Sequence, residues 1–283
     1  MKTKDFKKVV QKYKAVFFDA YGVLKNHRGL IPGIDRTFQF LIDKGIDYYI
    51  VTNDASRSPE LLAETYTSQG ITAIAPDRII SSGMLAREYL QYKIKEGTVI
   101  YLGTTNSAHY LETTGLKTLS VEEVDLNDLE NIEALVFLDD EGFDWKNDIN
   151  KIINILRHKN MSVIVANTDI SYPTNKHEIA IAIGGISDMV EEIIGKVFIR
   201  FGKPDAQMFM YAYEQLMAKG PIQKNQVLMV GDTLKTDIIG GNKFGIDTAL
   251  VLTGNTIPNQ AALKIASSGI IPTHICNSVV IDY

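Results

Sequence analysis

The chain is poor in the residues that staple or metallate small proteins. A single cysteine, Cys276, stands among 283 residues. It excludes an intrachain disulfide and any cysteine-based zinc cluster, and it is compatible with a reducing compartment. The five histidines, His27, His109, His158, His177 and His274, show no paired ligand spacing, so a histidine-held metal is not expected. Long apolar runs are missing as well. The opening MKTKDFKKVVQKYK is basic, but the apolar stretch behind it, Ala15–Phe18, is too short for a signal peptide or a membrane span. A cytoplasmic location is therefore expected. There is no surplus of positive charge: the net charge of −5 offers nothing general to nucleic acid or an anionic membrane. A phosphate-binding enzyme needs only local cations, so this balance does not count against an anionic substrate. Repeats and low-complexity segments are absent.

What is present has the composition of a soluble globular protein, 45% hydrophobic and 22% charged, with length for one large domain or two modest ones. Apolar runs at 15–18, 48–52, 99–102, 134–138, 162–166, 226–230 and 248–252 read as buried strands. Between them, 34–43, 59–69, 85–92, 146–157, 206–217 and 235–244 read as helices. Alternating strand and helix predicts an α/β fold, a mainly parallel sheet covered on both faces. In such sheets the chemistry sits beyond the carboxyl ends of the strands. Three exits are polar there: Asp19-Ala20-Tyr21-Gly22, Thr52-Asn53-Asp54, and Gly231-Asp232 leading to Asp237.

FFDAYGVL (17–24), VTND (51–54), Gly202-Lys203-Pro204 and GDTLKTDIIGG (231–241) resemble, in order and spacing, the four motifs of the haloacid dehalogenase superfamily. Each fragment alone is weak; four in order, each at a strand exit or helix start, are specific. The resemblance implies a Rossmann-like core and a magnesium-dependent phosphomonoester hydrolase. In that reading Asp19 is the nucleophile that takes the phosphoryl group as an aspartyl-phosphate. A cation must stand between two anions, and Mg²⁺ prefers a few hard oxygens. Asp19, Asp232 and the backbone carbonyl of Tyr21 would supply them, with Asp237 steadying an attached water. Thr52 offers a hydroxyl, the N–H groups of Asn53 and Asp54 offer anion donors, and Lys203 a point charge. Taken singly, Asp19 reads equally as a turn or helix cap, Lys203 as a surface lysine, and Asp237 as a first-turn helix residue favoured by the macrodipole.

The long interval between Thr52 and Lys203 leaves room for a cap. FLDDEGFDW (137–145) and VANTDISYP (165–173) are similar to pieces of the type II cap of nitrophenylphosphatase, pyridoxal-phosphate phosphatase and NagD-like proteins. The expected division is a core of 1–84 and 184–283 with an inserted α/β cap of 85–183, Gly184-Gly185 being the return hinge. The cap sets the substrate and carries no motif that names it; sugar phosphates follow from the superfamily's habits. Capped relatives often dimerise, so a homodimer is expected.

One position departs from the pattern. Phosphatases of the superfamily usually carry a second aspartate two residues after the nucleophile, as general acid and base; here that residue is Tyr21. Such catalysis is worth roughly 10²–10⁴-fold, and a phenol with a pKa near 10 is a poor base at neutral pH. Another acid can substitute, Asp54 being nearest by motif, although it also reads as a helix cap before Ser58-Pro59-Glu60. The enzyme can instead favour good leaving groups. FDAYGVL also resembles the first motif of the dehalogenases, which would use Asp19 without metal; Asp232 and Asp237 make sense only beside a cation. A weakly active metabolite-binding relic is the remaining class. Trp145 reads either as a cap residue facing the substrate or as cap packing, and Cys276 as an inert buried thiol.

Overall fold

The structure, a computed structural model, describes residues 2–175 and 178–282; His177 lies outside them. The first part of the chain forms α1 (Phe6–Val10), β1 (Ala15–Phe18), a small hairpin of β2 (Lys25–Asn26) and β3 (Gly29–Leu30), α2 (Ile34–Lys44), β4 (Asp47–Thr52), α3 (Pro59–Thr67), β5 (Ile79–Ser81) and α4 (Ser82–Lys93). A second set follows: β6 (Thr98–Leu102), α5 (Thr105–Glu112), β7 (Lys117–Ser120), β8 (Ile132–Phe137), α6 (Asn147–His158), β9 (Ser162–Val165), a hairpin of β10 (Ser171–Pro173) and β11 (Ile179–Ile181), α7 (Ile183–Ile194) and β12 (Ile199–Arg200). The chain then returns through α8 (Ala206–Met217), β13 (Val227–Gly231), a π-helical turn (Leu234–Ile238) running into α9 (Ile239–Phe244), β14 (Asp247–Val251), α10 (Pro258–Ser268) and β15 (His274–Cys276).

Two parallel sheets result. The first has the order β15-β14-β13-β1-β4-β5 and the second β12-β9-β8-β6-β7. β1 is central in the first, paired in parallel with β13 and β4. Because side chains alternate across a strand, Val16, Phe18, Tyr48, Ile50, Leu228 and Val230 pack on one face. Ala15, Phe17, Tyr49, Val51, Val227 and Met229 pack on the other. A strand buried on both faces has no polar side, which is why these segments read as continuous apolar runs. The second face shares its apolar cluster with Val99, Ala134, Val136 and Ile164 of the second sheet. The second sheet's far face packs against α6 and α7 through residues such as Ile152, Ile155, Ile186 and Val190.

The return point differs from the expected hinge. Gly184 and Gly185 lie inside α7, and a Cβ on Gly184 would come within 2.5 Å of the Asp169 carbonyl oxygen. They are glycines because the helix packs tightly on the 168–170 loop, not because the chain bends there. The backbone stays with the second sheet until β12 pairs with β9. We propose that the return crossing lies between Arg200 and Lys203. Among the described residues no helix is long and apolar enough to cross a membrane.

Candidate active site

β13, β1 and β4 are neighbours, so their carboxyl ends place Asp232, Asp19 and Thr52 side by side. Asp19 continues the ladder, its N–H donating to the Val230 carbonyl at 2.9 Å. The next turn closes where the Ala20 carbonyl accepts from the N–H groups of Leu24 and Lys25. Gly22 there has φ +83°, and a Cβ on it would come within 2.2 Å of Asp232 Oδ2. Backbone conformation and space thus both demand glycine. Gly254 crowds the same oxygen from the other side, its imagined Cβ at 2.0 Å.

Lys203 enters from the loop after β12. Its buried Nζ lies 2.6 Å from Asp19 Oδ1 and 2.7 Å from Asp237 Oδ1. Burial alone would discharge it, but Asp19 and Asp237 outweigh that and hold it protonated. Asp237 Oδ1 is near Nζ but off its hydrogen-bonding direction, while Oδ2 accepts the Thr233 N–H at 3.1 Å. Asp232 is buried and accepts from the Asn255 N–H and the Thr233 hydroxyl. Burial and then Asp19 and Asp237 push its carboxyl well above the usual range. For Asp237, burial, opposed by Lys203 and reinforced by Asp19, pushes the carboxyl up to about 7. Asp19, Asp232 and Asp237 each offer an oxygen, all within 4.8 Å of one another. Three such carboxylates beside one lysine are short of positive charge, and their hard oxygens suit a divalent cation.

The second strand exit is arranged differently from expectation. The Thr52 hydroxyl accepts the Asp54 N–H at 3.1 Å, so that donor is engaged within the turn. Asn53 is buried and does not line the cavity. Its Oδ1 accepts the Lys203 N–H at 2.7 Å, and its Nδ2 donates to the Lys203 carbonyl at 3.1 Å and to Asp169 Oδ1 at 3.0 Å. It is a hub that ties the third motif to the 168–170 loop. Asp54 accepts from the N–H and hydroxyl of Ser56 and faces Lys25 at 3.5 Å. Burial raises its carboxyl, but Lys25 and Ser56 outweigh this and hold it below the usual range. The cap of α3 is Ser58, so Asp54 is not a helix cap, and its pairing with Lys25 and Ser56 favours its ionised form.

Tyr21 reaches from the first motif to the β10–β11 hairpin. Its hydroxyl donates to the Pro173 carbonyl at 2.5 Å, and its ring meets Tyr172 edge-on at 6.4 Å. Burial and Asp232 raise its pKa further. The side chain is a strut between the first motif and the β10–β11 hairpin. Trp145 is about half exposed, rests against Phe143 and does not line the cavity. Among the described residues no histidine lines it either. His274 is held between Tyr13 and Lys4 at the opposite end of the sheet.

Asp19, Tyr21, Thr52, Asp54 and Lys203 open on a cavity of about 440 Å³, whose other wall includes Asp139, Asp140, Glu141 and Asp169. Burial pushes Asp139 up to about 6, with Asp140 adding to it against the Thr104 hydroxyl. Sequence reasoning did not single out these acids, although they lie in the two segments that resemble the type II cap. Nothing in the local string says which of them turns inward.

A haloacid dehalogenase-like hydrolase model matches residues 16–117, and a HAD-hydrolase-like model matches 200–280. A solved structure described as a possible sugar phosphatase of the HAD superfamily, from Cytophaga hutchinsonii, is 57% identical, with a TM-score of 0.97 and full coverage of both chains. The chain belongs to the haloacid dehalogenase superfamily. Within it, chronophin of Bos taurus is 25% identical over 96% of this chain and 92% of its own length. The dihydroxyacetone phosphatase of Corynebacterium glutamicum is 28% identical over 92% and 87%. The superfamily's four motifs therefore coincide with the three strand exits and the lysine loop described above, and the inserted second sheet is the cap.

Proposed function

We propose that this superfamily member is a Mg²⁺-dependent hydrolase of small phosphomonoesters, sugar phosphates among them. The observation that carries the proposal is the Asp19 carboxylate, 2.6 Å from a buried lysine and clustered with Asp232 and Asp237, at the mouth of a cavity sized for a small metabolite. Asp19 Oδ attacks phosphorus in line, and the bond to the leaving oxygen breaks. Lys203 keeps its charge throughout because two carboxylates surround it, and it holds both the nucleophile and a phosphoryl oxygen. The Thr52 hydroxyl, fixed by its own turn, donates to another. Asp19, Asp232 and the Tyr21 carbonyl would hold the metal, with Asp237 behind them. When bound, it supplies the positive charge that lets an anionic carboxylate approach an anionic phosphoryl group. Water then releases phosphate from Asp19. The cap wall of Asp139, Asp140 and Glu141 accepts hydrogen bonds from hydroxyls and repels a second phosphate, which favours a polyhydroxylated substrate. The Cytophaga and Corynebacterium relatives carry names of the same class.

The test is a panel of phosphomonoesters and 2-haloacids with and without Mg²⁺. Sugar phosphates should turn over only with the metal. Metal-free turnover of a 2-haloacid, with alkylation of Asp19, would replace this reading with a dehalogenase; inactivity on every compound would leave a metabolite-binding relic.

A further inference from the structure

The Tyr21 phenol is committed to the Pro173 carbonyl, so the proton required by an alkoxide leaving group has to come from elsewhere. We propose that Asp169, carried by the cap loop between β9 and β10, is the general acid and base of this active site. The inference rests on the phosphatase reading above and adds the residue that reading lacks.

Position selects Asp169 among the acids that line the cavity. Asn53 Nδ2 donates to its Oδ1 at 3.0 Å while also holding the Lys203 backbone, and Lys203 Nζ reaches Asp19 at 2.6 Å. Two sets of hydrogen bonds, joined through the Lys203 side chain, therefore tie Asp169 to the nucleophile, although the two lie 150 residues apart in sequence. Among the described residues Asp169 Oδ2 accepts no hydrogen bond from the protein, and the residue lines the cavity. One oxygen is anchored and the other is left for a ligand, as proton transfer requires. The rivals are engaged otherwise. Asp54 is paired with Lys25 and Ser56. Both Asp139 oxygens are occupied, by the Thr104 hydroxyl and the Asp140 N–H, while Asp140 accepts from Tyr172 and, like Glu141 on the same wall, is not tied to Asn53 and the Lys203 backbone as Asp169 is. Asp54 acts on both Asp139 and Asp169, but Asp169 also feels the charges of Asp19 and Lys203. In keeping with this, burial and then Asp19 push Asp169 up to about 6, against Lys203 and Asn53, within the range where a carboxyl group serves as both acid and base near neutrality.

The step balances. As the Asp19 oxygen bonds to phosphorus and the ester P–O bond breaks, protonated Asp169 gives its proton to the departing alkoxide, which leaves as an alcohol. Ionised Asp169 then takes a proton from water while the water oxygen bonds to phosphorus. The acyl-phosphate P–O bond breaks, and Asp19 returns as carboxylate with inorganic phosphate released.

Asp169→Asn tests this, because its amide oxygen can still accept from Asn53. The probes are p-nitrophenyl phosphate, whose phenolate leaves unprotonated, and the best alkyl phosphate found in the substrate panel. With p-nitrophenyl phosphate the variant should show a rapid burst of one nitrophenol per active site, then steady turnover slowed about 10²-fold or more, since only hydrolysis of the aspartyl-phosphate needs the base. With the alkyl phosphate the first turnover itself should slow by about 10²-fold or more, with no phosphoenzyme accumulating. Equal slowing of the first turnover on both probes would mean that Asp169 only holds Asn53 in place, and unchanged rates would mean that it plays no part; either overturns the proposal. A wild type inactive on both compounds would instead sink the phosphatase reading itself.

Discussion

Asp232 is hemmed in by two glycines and by the Asn255 N–H, so its carboxylate has almost no freedom to move. Asp232→Asn keeps the shape and removes the charge. We expect Mg²⁺ affinity, measured by calorimetry, and phosphatase rate to fall together, the rate by about 10²-fold or more. Full activity after exhaustive chelation would remove the metal from the mechanism. Tyr21 gives the opposite expectation. Tyr21→Phe removes only the bond to the Pro173 carbonyl, worth about 0.5–1.5 kcal/mol, and loosens the hairpin over the cavity. KM should rise by a few-fold with kcat within about twofold, whatever the leaving group. A large kcat loss confined to alkyl phosphates would return the acid role to Tyr21.

β4 shows how an element divides its labour between its ends. Its carboxyl end carries Thr52 into the site, while its first residue, Asp47, binds Lys219 at 2.8 Å and Arg78 at the other end of the sheet. Burial raises the Asp47 carboxyl, but the hydrogen bonds from Lys219 and Arg78 outweigh it and hold it below the unfolded value of 3.8. A lowered folded pKa means that its contribution is complete above 3.8 and is lost as pH falls through the folded value. Asp47→Asn should therefore be less stable than wild type by about 1 kcal/mol near neutrality, discounting for partial exposure. The gap in urea midpoints should close in acid, and one that persists there would assign the loss to packing. At this scale the long strands were legible because continuous apolar runs leave little choice of structure. β5 and β15 were not, since IIS and HIC are too short to carry a period, and neither was β7, whose KTLS is as long as β1 but has no apolar run. Residues 235–244 read as one helix. They begin instead with a π-helical turn, an irregularity often found at functional sites, and this turn carries Asp237 to Lys203.

At the scale of the whole molecule, several large apolar side chains of the cap are exposed. Met189 and Ile193 lie one turn apart on the outside of α7, Val197 follows, and Ile179 and Ile181 project from the hairpin. We propose that these residues form one surface and that a second copy of the chain covers it. Sedimentation should give a homodimer at micromolar concentration, and Ile193→Glu should shift it to monomer. A wild type that remains monomeric at the highest concentrations would rule this out.

The sequence by itself marked the long strands and the polar exits at Asp19, Thr52 and Asp232, because each is a local matter of which residue follows a buried run, and the resemblance of its motifs added Lys203 and Asp237 as candidates. Only the tertiary structure decided what their neighbours do. Tyr21 meets a carbonyl 152 residues away, and Asn53 reaches 116 residues to Asp169. Contacts across such intervals depend on how the cap closes over the core, a packing of two apolar faces that no local period records. The glycine pair inside α7 is a further case, since it answers to a close approach of backbone that exists only once the chain is folded.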